Sequence, residues 1–400
     1  MVQKTLFQGV STRSPKTKRK SATHDKNRTV RTSGTRFRAA EFFAGIGLVR
    51  LAIEAANFDV VFANDIDPDK LHIYEQNFET DDFSLGDIHA LAADDLPDCE
   101  LFTASFPCND LSVAGTMGGL NSGQSSAFWG LIRLLKDLGT RRPDVVMLEN
   151  VPGFLLSRKG EDLRQALQAL GDLGYAVDTF MIDAANFVPQ SRLRMFVVAR
   201  RGVAGAPIQS LEPSTIRPKP LVEFMRSHPD LPWNVRELPA LPDHAPPLRK
   251  IIEDLADDDP AWWNEERTEY FMNQLSERHA AVAKQMIDAP RVSYGTAFRR
   301  VRNGRSMAEL RTDGVAGCLR TPRGGSGRQI LFKAGKGRRQ VRLLTARECA
   351  RLQGVPDGYQ IDVPLNKALF GFGDAVCVPV VNWIATNYLA PAIREAKTKR

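Results

Sequence analysis

Apolar and polar positions follow two rhythms along this 400-residue chain. Between about residues 37 and 200, short apolar runs alternate with stretches of helical spacing. "RFRAAEFFAG" leads into "LVRLAIEAAN", where Leu48, Leu51, Ala52 and Ala55 recur every three or four positions. "DVVFANDID" precedes the helical "PDKLHIYEQNF"; "ELFTASFP", "DVVMLENVP" and "RMFVVAR" are three more short runs, separated by "SAFWGLIRLLKDL" and "GEDLRQALQALGDLG". Unbroken apolar runs bounded by Gly, Pro and acids fit strands covered on both faces, and the 3.6-residue period between them fits crossover helices. The alternation predicts an α/β fold of Rossmann-like, doubly wound type, with ligands at the carboxyl ends of the strands. After residue 200 the rhythm breaks into "EPSTIRPKP" and "LPALPDHAPP", which read as a linker or a smaller irregular domain.

Composition narrows the class. With 43% hydrophobic and 25% charged residues the chain can bury a sizeable core, shared between two domains. No apolar run of roughly 18 residues stands out and "MVQKTLFQGV" lacks a secretory core, so a cytoplasmic protein without a membrane partner is expected. Five cysteines, Cys99, Cys108, Cys318, Cys349 and Cys377, form no C-x-x-C pair; free thiols are expected, with neither disulfides nor a metal site.

The net charge of +7 is unevenly spread. Residues 1–36 carry ten Lys and Arg against Asp25 alone, which predicts a basic, disordered tail suited to a polyanion, a solvated tail being the competing reading. A second concentration, Arg291 to Arg351, holds sixteen Lys and Arg against Glu309, Asp313 and Glu348. Lying inside the folded part and rich in glycine, it is the stronger candidate for a nucleic-acid surface.

Candidate chemistry gathers at the strand ends. Gly45-Ile46-Gly47 after the first run lets backbone approach a ligand, but Arg50 occupies the place of the third glycine of a dinucleotide fingerprint, which counts against a nicotinamide or flavin enzyme. Asp65 and Asp67 end the next run about twenty residues on, where an acid can accept from ribose hydroxyls; a tight turn with a helix-capping acid is the alternative. Asp87 in "LGDIHAL" is a third strand-end acid, able to accept from an exocyclic amine. Together they describe a pocket for an adenosine-type ligand that makes few pyrophosphate contacts, such as S-adenosylmethionine. Pro107-Cys108 then ends a fourth run, at the start of a Gly- and Ser-rich loop, and Glu149 ends a fifth. One helix between adjacent parallel strands accounts for their separation and faces thiol and carboxyl into one crevice. "QSRLR" adds Gln190, Arg192 and Arg194 on an entering strand, whose alternation sends both arginines to one side; surface ion pairing is the alternative for each.

In order, "FFAGIG", "NDID", "GDI", "PCNDLS", "ENVPG", "QSRLR", "RECARLQGVP" and "GDAVCVPV" closely resemble the motifs of the cytosine-5 DNA methyltransferases of prokaryotic type, from Arg38 to about Ala390. The resemblance implies a first catalytic part over 37–201, a target-recognition domain over 202–340, and a return over 341–400 that completes the catalytic domain. It implies S-adenosylmethionine held by Phe43, Ala44, Gly45, Ile46 and Gly47, by Asp65 and Ile66, by Asp87 and Ile88, and by Pro107, Asp374, Ala375 and Val376. It gives catalysis to Cys108, Glu149, Arg192 and Arg194, and DNA contacts to Asn109, Ser112 and Gln190. Departures are Asn109 where Gln is usual, Leu48 for a glycine, and Asp374 for an asparagine.

These residues and their resemblance lead to one expected reaction: the Cys108 thiolate adds to C6 of an extruded cytosine, Glu149 hydrogen-bonds N3 and the exocyclic amine, and C5 accepts the methyl group. The loop from Asn109 to Gln124 is expected to close over the base. Double-stranded DNA is the expected partner, with Arg320, Arg323 and Arg328 of "RTPRGGSGRQ" meeting bases or, on the safer reading, phosphates. Trp262 and Trp263, in an acidic stretch, are expected to pack in the core. A working monomer, paired with a restriction or defence system, completes the expectation. An RNA cytosine-5 methyltransferase and a DNA-binding homologue without turnover are the alternatives.

Overall fold

The computed structural model describes residues 36–107, 126–243, 245–302, 304–322 and 327–399. Seven strands form the large sheet: β1 (Phe37–Phe42), β2 (Phe58–Asp65), β3 (Phe83–Leu85), β4 (Leu101–Ala104), β5 (Val145–Asn150), β6 (Tyr175–Asp183) and β7 (Leu193–Arg201). Their order is β3-β2-β1-β4-β5-β7-β6, parallel except for β7, which runs antiparallel to both neighbours. The twelve α-helices of the described residues are α1 (Leu48–Glu54), α2 (Pro68–Tyr74), α3 (Ala127–Asp137), α4 (Gly153–Leu156), α5 (Glu161–Asp172), α6 (Lys219–Ser227), α7 (Glu265–Met272), α8 (Glu277–Asp288), α9 (Ala346–Leu352), α10 (Leu365–Asp374), α11 (Val378–Ile384) and α12 (Ala390–Thr398).

The apolar runs are unbroken because both sheet faces are covered. Along β5, Val145 and Met147 join one core with residues of α1, α10 and α11, whereas Val146 and Leu148 join another with α3, α5 and α6. Successive side chains of a strand point to opposite faces, so each needs its own apolar layer. Leu131, Leu134 and Leu135 of α3 are completely buried, each contributing roughly 1.5–3 kcal/mol by leaving water.

Two expectations are corrected. The second domain does not start at 202: Leu221, Phe224, Met225, Leu231 and Trp233 lie in the second core, and Val177 of β6 exchanges backbone hydrogen bonds of 2.8 Å with Pro232 and Asn234. The stretch after residue 200 forms α6, whose apolar side joins the second core, and a segment at Trp233 that pairs with the edge strand β6. The smaller unit has its own core from Phe271 to Val341, built by α7, α8 and a four-stranded antiparallel sheet ordered β11-β10-β8-β9, where β8 is Ser293–Arg302, β9 Arg305–Arg311, β10 Ile330–Gly335 and β11 Arg338–Leu343. Trp263 packs at the edge of this core and Trp262 beside the first. The second correction concerns apolar length. Leu365–Thr398 is long and apolar enough, by composition, to cross a membrane, yet its apolar window is 67% buried within the fold, where Phe372, Val381 and Ile384 pack on the α1 side of the sheet.

Candidate active site

A cavity of about 540 Å³ opens along the carboxyl ends of β1, β2, β4 and β5. Its floor begins at the turn after β1. Phe43, Gly45 and Gly47 all have positive φ, of 58°, 58° and 80°. Gly47 tolerates no side chain: a Cβ there would lie 2.5 Å from the Phe78 ring and 2.9 Å from Tyr74. Arg50, the residue that breaks the dinucleotide fingerprint, turns away to Tyr74 Oη and Glu54, both at 2.9 Å, and lies over Phe78.

Asp65 binds the turn to β2: its two oxygens accept from Gly45 N (2.7 Å) and Asp67 N (2.9 Å). Asp67 caps α2 by accepting from Asp69 N. Asn64, which the sequence did not single out, donates to Ser84 O (2.8 Å) and Gly86 O (3.0 Å) and so draws Asp87 to the cavity, where its carboxylate accepts from His89 N. Ile66 borders the cavity with 66% of its surface exposed, an unusual state for isoleucine and suited to an adenine face. Ala44, Ile46, Ile88, Pro107, Asp374, Ala375 and Val376 line the same space; Gly47 lies beneath the turn. An open cleft with glycine backbone, strand-end acids and exposed apolar surface fits a nucleoside-bearing cofactor in size and donor type.

The reactive end is built by β5 and β7. Glu149 faces Phe196 across the antiparallel pair, so Arg194, two residues away on the same face, is its diagonal neighbour. Arg194 Nε lies 3.1 Å from Glu149 Oε1. The reversed direction of β7 matters here, because only an antiparallel strand brings its start to the edge where its neighbours end. Asn150 donates to Phe106 O (3.2 Å), holding the end of β5 to the loop that leads to Cys108. Cys108, Asn109, Ser112 and Arg323 lie outside the described residues.

Two of the residues read from "QSRLR" have other work. Gln190 is completely buried; its amide donates to Leu352 O (2.8 Å) and accepts from Leu319 N (2.9 Å), so it braces protein segments where a DNA contact was expected. Arg192, 2% exposed, donates to Leu319 O (2.8 Å), Gly373 O (3.1 Å) and Ala375 O (2.5 Å). Its guanidinium is a clamp between the strand, the recognition-side loop and the end of α10, whereas Arg194 is turned to Glu149. Alternation sent both arginines to one side, but the carbonyls awaiting Arg192 come from residues more than a hundred positions away. Arg320 is exposed and Arg328 donates to Asn366 (2.6 Å). The backbone at Arg320 and Thr321 comes so near α10 that a Cβ on Gly373 would lie 2.5 Å from it.

Cys318 was also missed. It sits 3.3 Å from Arg192 and 3.9 Å from Arg194. Burial pushes its thiol up, but Arg192, Arg194 and Arg320 together hold it below the ordinary thiol range. Beneath the floor, Glu41 is 1% exposed with Oε2 unpartnered; burial, against the pull of Arg50, raises its pKa to about 8.

The family model of the C-5 cytosine-specific DNA methylases matches residues 37–390. The chain belongs to this family. It is similar to the type II methyltransferase M.NgoBI of Neisseria gonorrhoeae, with 25% identity over 91% of this chain and 96% of that protein. To the type II methyltransferase M.HhaI of Haemophilus parahaemolyticus it is 27% identical over 88% of this chain and 94% of the other. Among solved structures, the S. pombe Dnmt2 methyltransferase superposes with a TM-score of 0.59 at 22% identity, covering 89% of this chain and 99% of that one. The Entamoeba histolytica methyltransferase EhMeth has a TM-score of 0.57 at 14% identity, covering 91% and 99%. This C5 methyltransferase is therefore an enzyme that methylates cytosine in DNA, built on the α/β fold its neighbours share.

Proposed function

We propose that the protein transfers a methyl group from S-adenosylmethionine to C5 of a cytosine extruded from duplex DNA, through a covalent adduct with Cys108. The observation that carries this reading is the joining of two chemistries in one cavity: the glycine turn with Asp65, Ile66 and Asp87 at one end, and the Glu149–Arg194 pair beside the approach to Cys108 at the other. The cofactor supplies an electrophilic methyl group. C5 of cytosine is a weak nucleophile, so the Cys108 thiolate adds first at C6, making a C–S bond and placing electron density at C5. Glu149 hydrogen-bonds N3 and the exocyclic amine, and Arg194 holds O2, so that charge developing on the ring is matched. After C5 gains the methyl group, a base removes its proton, the C–S bond breaks and the thiolate leaves. A stacked base is out of reach of a crevice floor; extrusion costs a few kcal/mol of lost stacking, which DNA contacts from Arg320 and its loop offset.

The relatives named type II methyltransferases favour a working context beside a restriction system, and the described residues that line the cavity come from a single copy of the chain. The test is transfer of labelled methyl to duplex DNA and to tRNA in parallel. Label in DNA cytosines, lost in Cys108→Ala while DNA binding persists, is the expected result; label in tRNA alone, or full activity of Cys108→Ala, overturns it. Glu149→Gln should slow transfer with cofactor binding intact.

A further inference from the structure

Arg192 is a cation buried without a carboxylate of its own. It is 2% exposed, and among the described residues its guanidinium meets carbonyls of Leu319, Gly373 and Ala375 but no acid. Carbonyl dipoles return only part of the hydration that burial removes, so a buried guanidinium calls for an anion as well. Arg194, two residues on and on the same face, adds a second positive charge, and Glu149 is already taken by Arg194 at 3.1 Å. Burial and Arg194 together draw Arg192 below the ordinary guanidinium range. Two arginines and one carboxylate leave the reactive end of the cavity short of negative charge.

Cys318 stands where that charge is needed. Its Sγ lies 3.3 Å from Arg192 Nη1 and 3.9 Å from Arg194 Nη2. Backbone fixes the place: Ala316 pairs with Pro189 and Ser191 through hydrogen bonds of 2.8 and 2.9 Å, and Leu319 N donates to the buried Gln190 side chain at 2.9 Å, so the residue between is carried over the start of β7. As a thiol, Cys318 would donate to Leu319 O (3.3 Å), a carbonyl that already accepts from Arg192 at 2.8 Å; as a thiolate it accepts from both arginines. The other charged or titratable groups nearby do not take its place. Arg320, on the same loop, adds positive charge. Asp374, at the end of α10, is held by Lys70 at 3.0 Å, and Asp183 accepts from the backbone N of Arg192 at 2.7 Å. Cys377, which also senses Arg192, is pushed up to about 12 by burial and stays neutral.

Resting on the reading that Glu149 and Arg194 receive the target cytosine, we propose that Cys318 is a thiolate and the shared counter-anion of Arg192 and Arg194, a positioning residue that keeps Arg194 at the cavity when Glu149 turns from it to the base. Arg194 uses Nε for Glu149 and Nη2 for the sulfur, so the two contacts are made by different atoms and one survives the loss of the other. Cys318 itself forms no bond to the base or to the methyl group, and the proton it gives up goes to solvent as the chain folds around the two guanidiniums.

Two measurements on the full chain test this. The first follows alkylation of Cys318 by iodoacetamide against pH, separated from the other cysteines by peptide mass mapping, and needs no turnover. The midpoint should lie below the ordinary thiol value of about 8.5 in the unaltered chain and rise in Arg194→Met. The second is a double-mutant cycle on single-turnover methyl transfer to duplex DNA. Cys318→Ser should slow transfer roughly tenfold in the unaltered chain, with DNA affinity kept within about twofold, but by less than about twofold in the Arg194→Met background, where the guanidinium it serves is gone. Cys318→Asp, which restores an anion, should recover part of the rate. An ordinary thiol midpoint, parental transfer by Cys318→Ser, or an equal loss in both backgrounds overturns the proposal, the last because a packing role would cost both chains alike. An unaltered chain that carries no label into DNA would remove the function reading instead, and the alkylation midpoint would still decide the charge on Cys318.

Discussion

Arg192 and Arg194 stand two residues apart in one motif, yet their surroundings assign them opposite roles, and replacing each with methionine separates the two. Methionine keeps the bulk of the arginine stem and removes the guanidinium. At position 192 this strands three buried carbonyls, those of Leu319, Gly373 and Ala375, which now accept at 2.8, 3.1 and 2.5 Å. Charge-assisted hydrogen bonds are worth roughly 1.5–3 kcal/mol each and are not additive here, while burying methionine in place of a cation offsets part of the loss. The net cost should be about 3–5 kcal/mol, comparable to breaking a buried ion pair. At position 194 the losses include the ion pair to Glu149, which lines the cavity, and the contacts to Leu193 O and Cys318, and the cost should be about 1–3 kcal/mol. Urea denaturation followed by tryptophan fluorescence reads stability, and single-turnover methyl transfer reads chemistry. Arg192→Met should lower the midpoint sharply while its folded fraction still turns over; Arg194→Met should stay folded and lose about 10²-fold in rate or more. If Arg192→Met unfolds within about 1 kcal/mol of the parent but transfers no methyl group, the clamp argument is wrong and Arg192 acts on the base.

Three further outcomes follow from single environments. Glu41 is protonated in the native state up to a pH of about 8 and only to about 4.5 when unfolded, so stability is greatest below pH 4.5 with respect to this group and falls as pH rises to 8, by roughly 3 kcal/mol at pH 7; Glu41→Gln should flatten that slope in pH-resolved melts, and an unchanged slope refutes the assignment. Cys318, held low by three arginines, should be alkylated by iodoacetamide at pH 7 before Cys99 or Cys377, both pushed up to about 12 by burial; peptide mass mapping distinguishes them, and equal rates would contradict the electrostatics. Glu348 and Arg342 form a bidentate pair with both side chains fully buried, so Glu348→Ala should destabilise by about 3–5 kcal/mol in calorimetry, whereas a loss under 1 kcal/mol would show that Arg342 finds another partner.

Much of the site was legible because its residues sit where chain direction dictates. A parallel strand exposes its carboxyl end at one edge of the sheet, and the acids and glycine that end the inner runs face the cleft there: Gly45, Asp65, Asp87 and Glu149 all do. Arg194 was legible for the complementary reason, that it opens an entering strand. Strand β6 left no separate mark, since "YAVDTFMID" is read beside a helix and its value lies in pairing with β7.

What the linear chain determined by itself was the order of elements, the two-faced burial of the sheet, and the chemical character of each strand end, because these depend on period, length and residue type alone. Only the tertiary structure decided how polar groups are spent. Gln190 and Arg192 read as ligand contacts until Leu352, Leu319, Gly373 and Ala375 arrive from distant sequence to claim them. Cys318 and Lys70 had no motif, and take their character from charges supplied by other segments. The same holds for the domain boundary, since whether an irregular segment belongs to one core or another depends on which surface it covers. Hydrogen bonding and electrostatics act over a few ångströms of space, whatever the distance along the chain, so their outcome follows the completed packing.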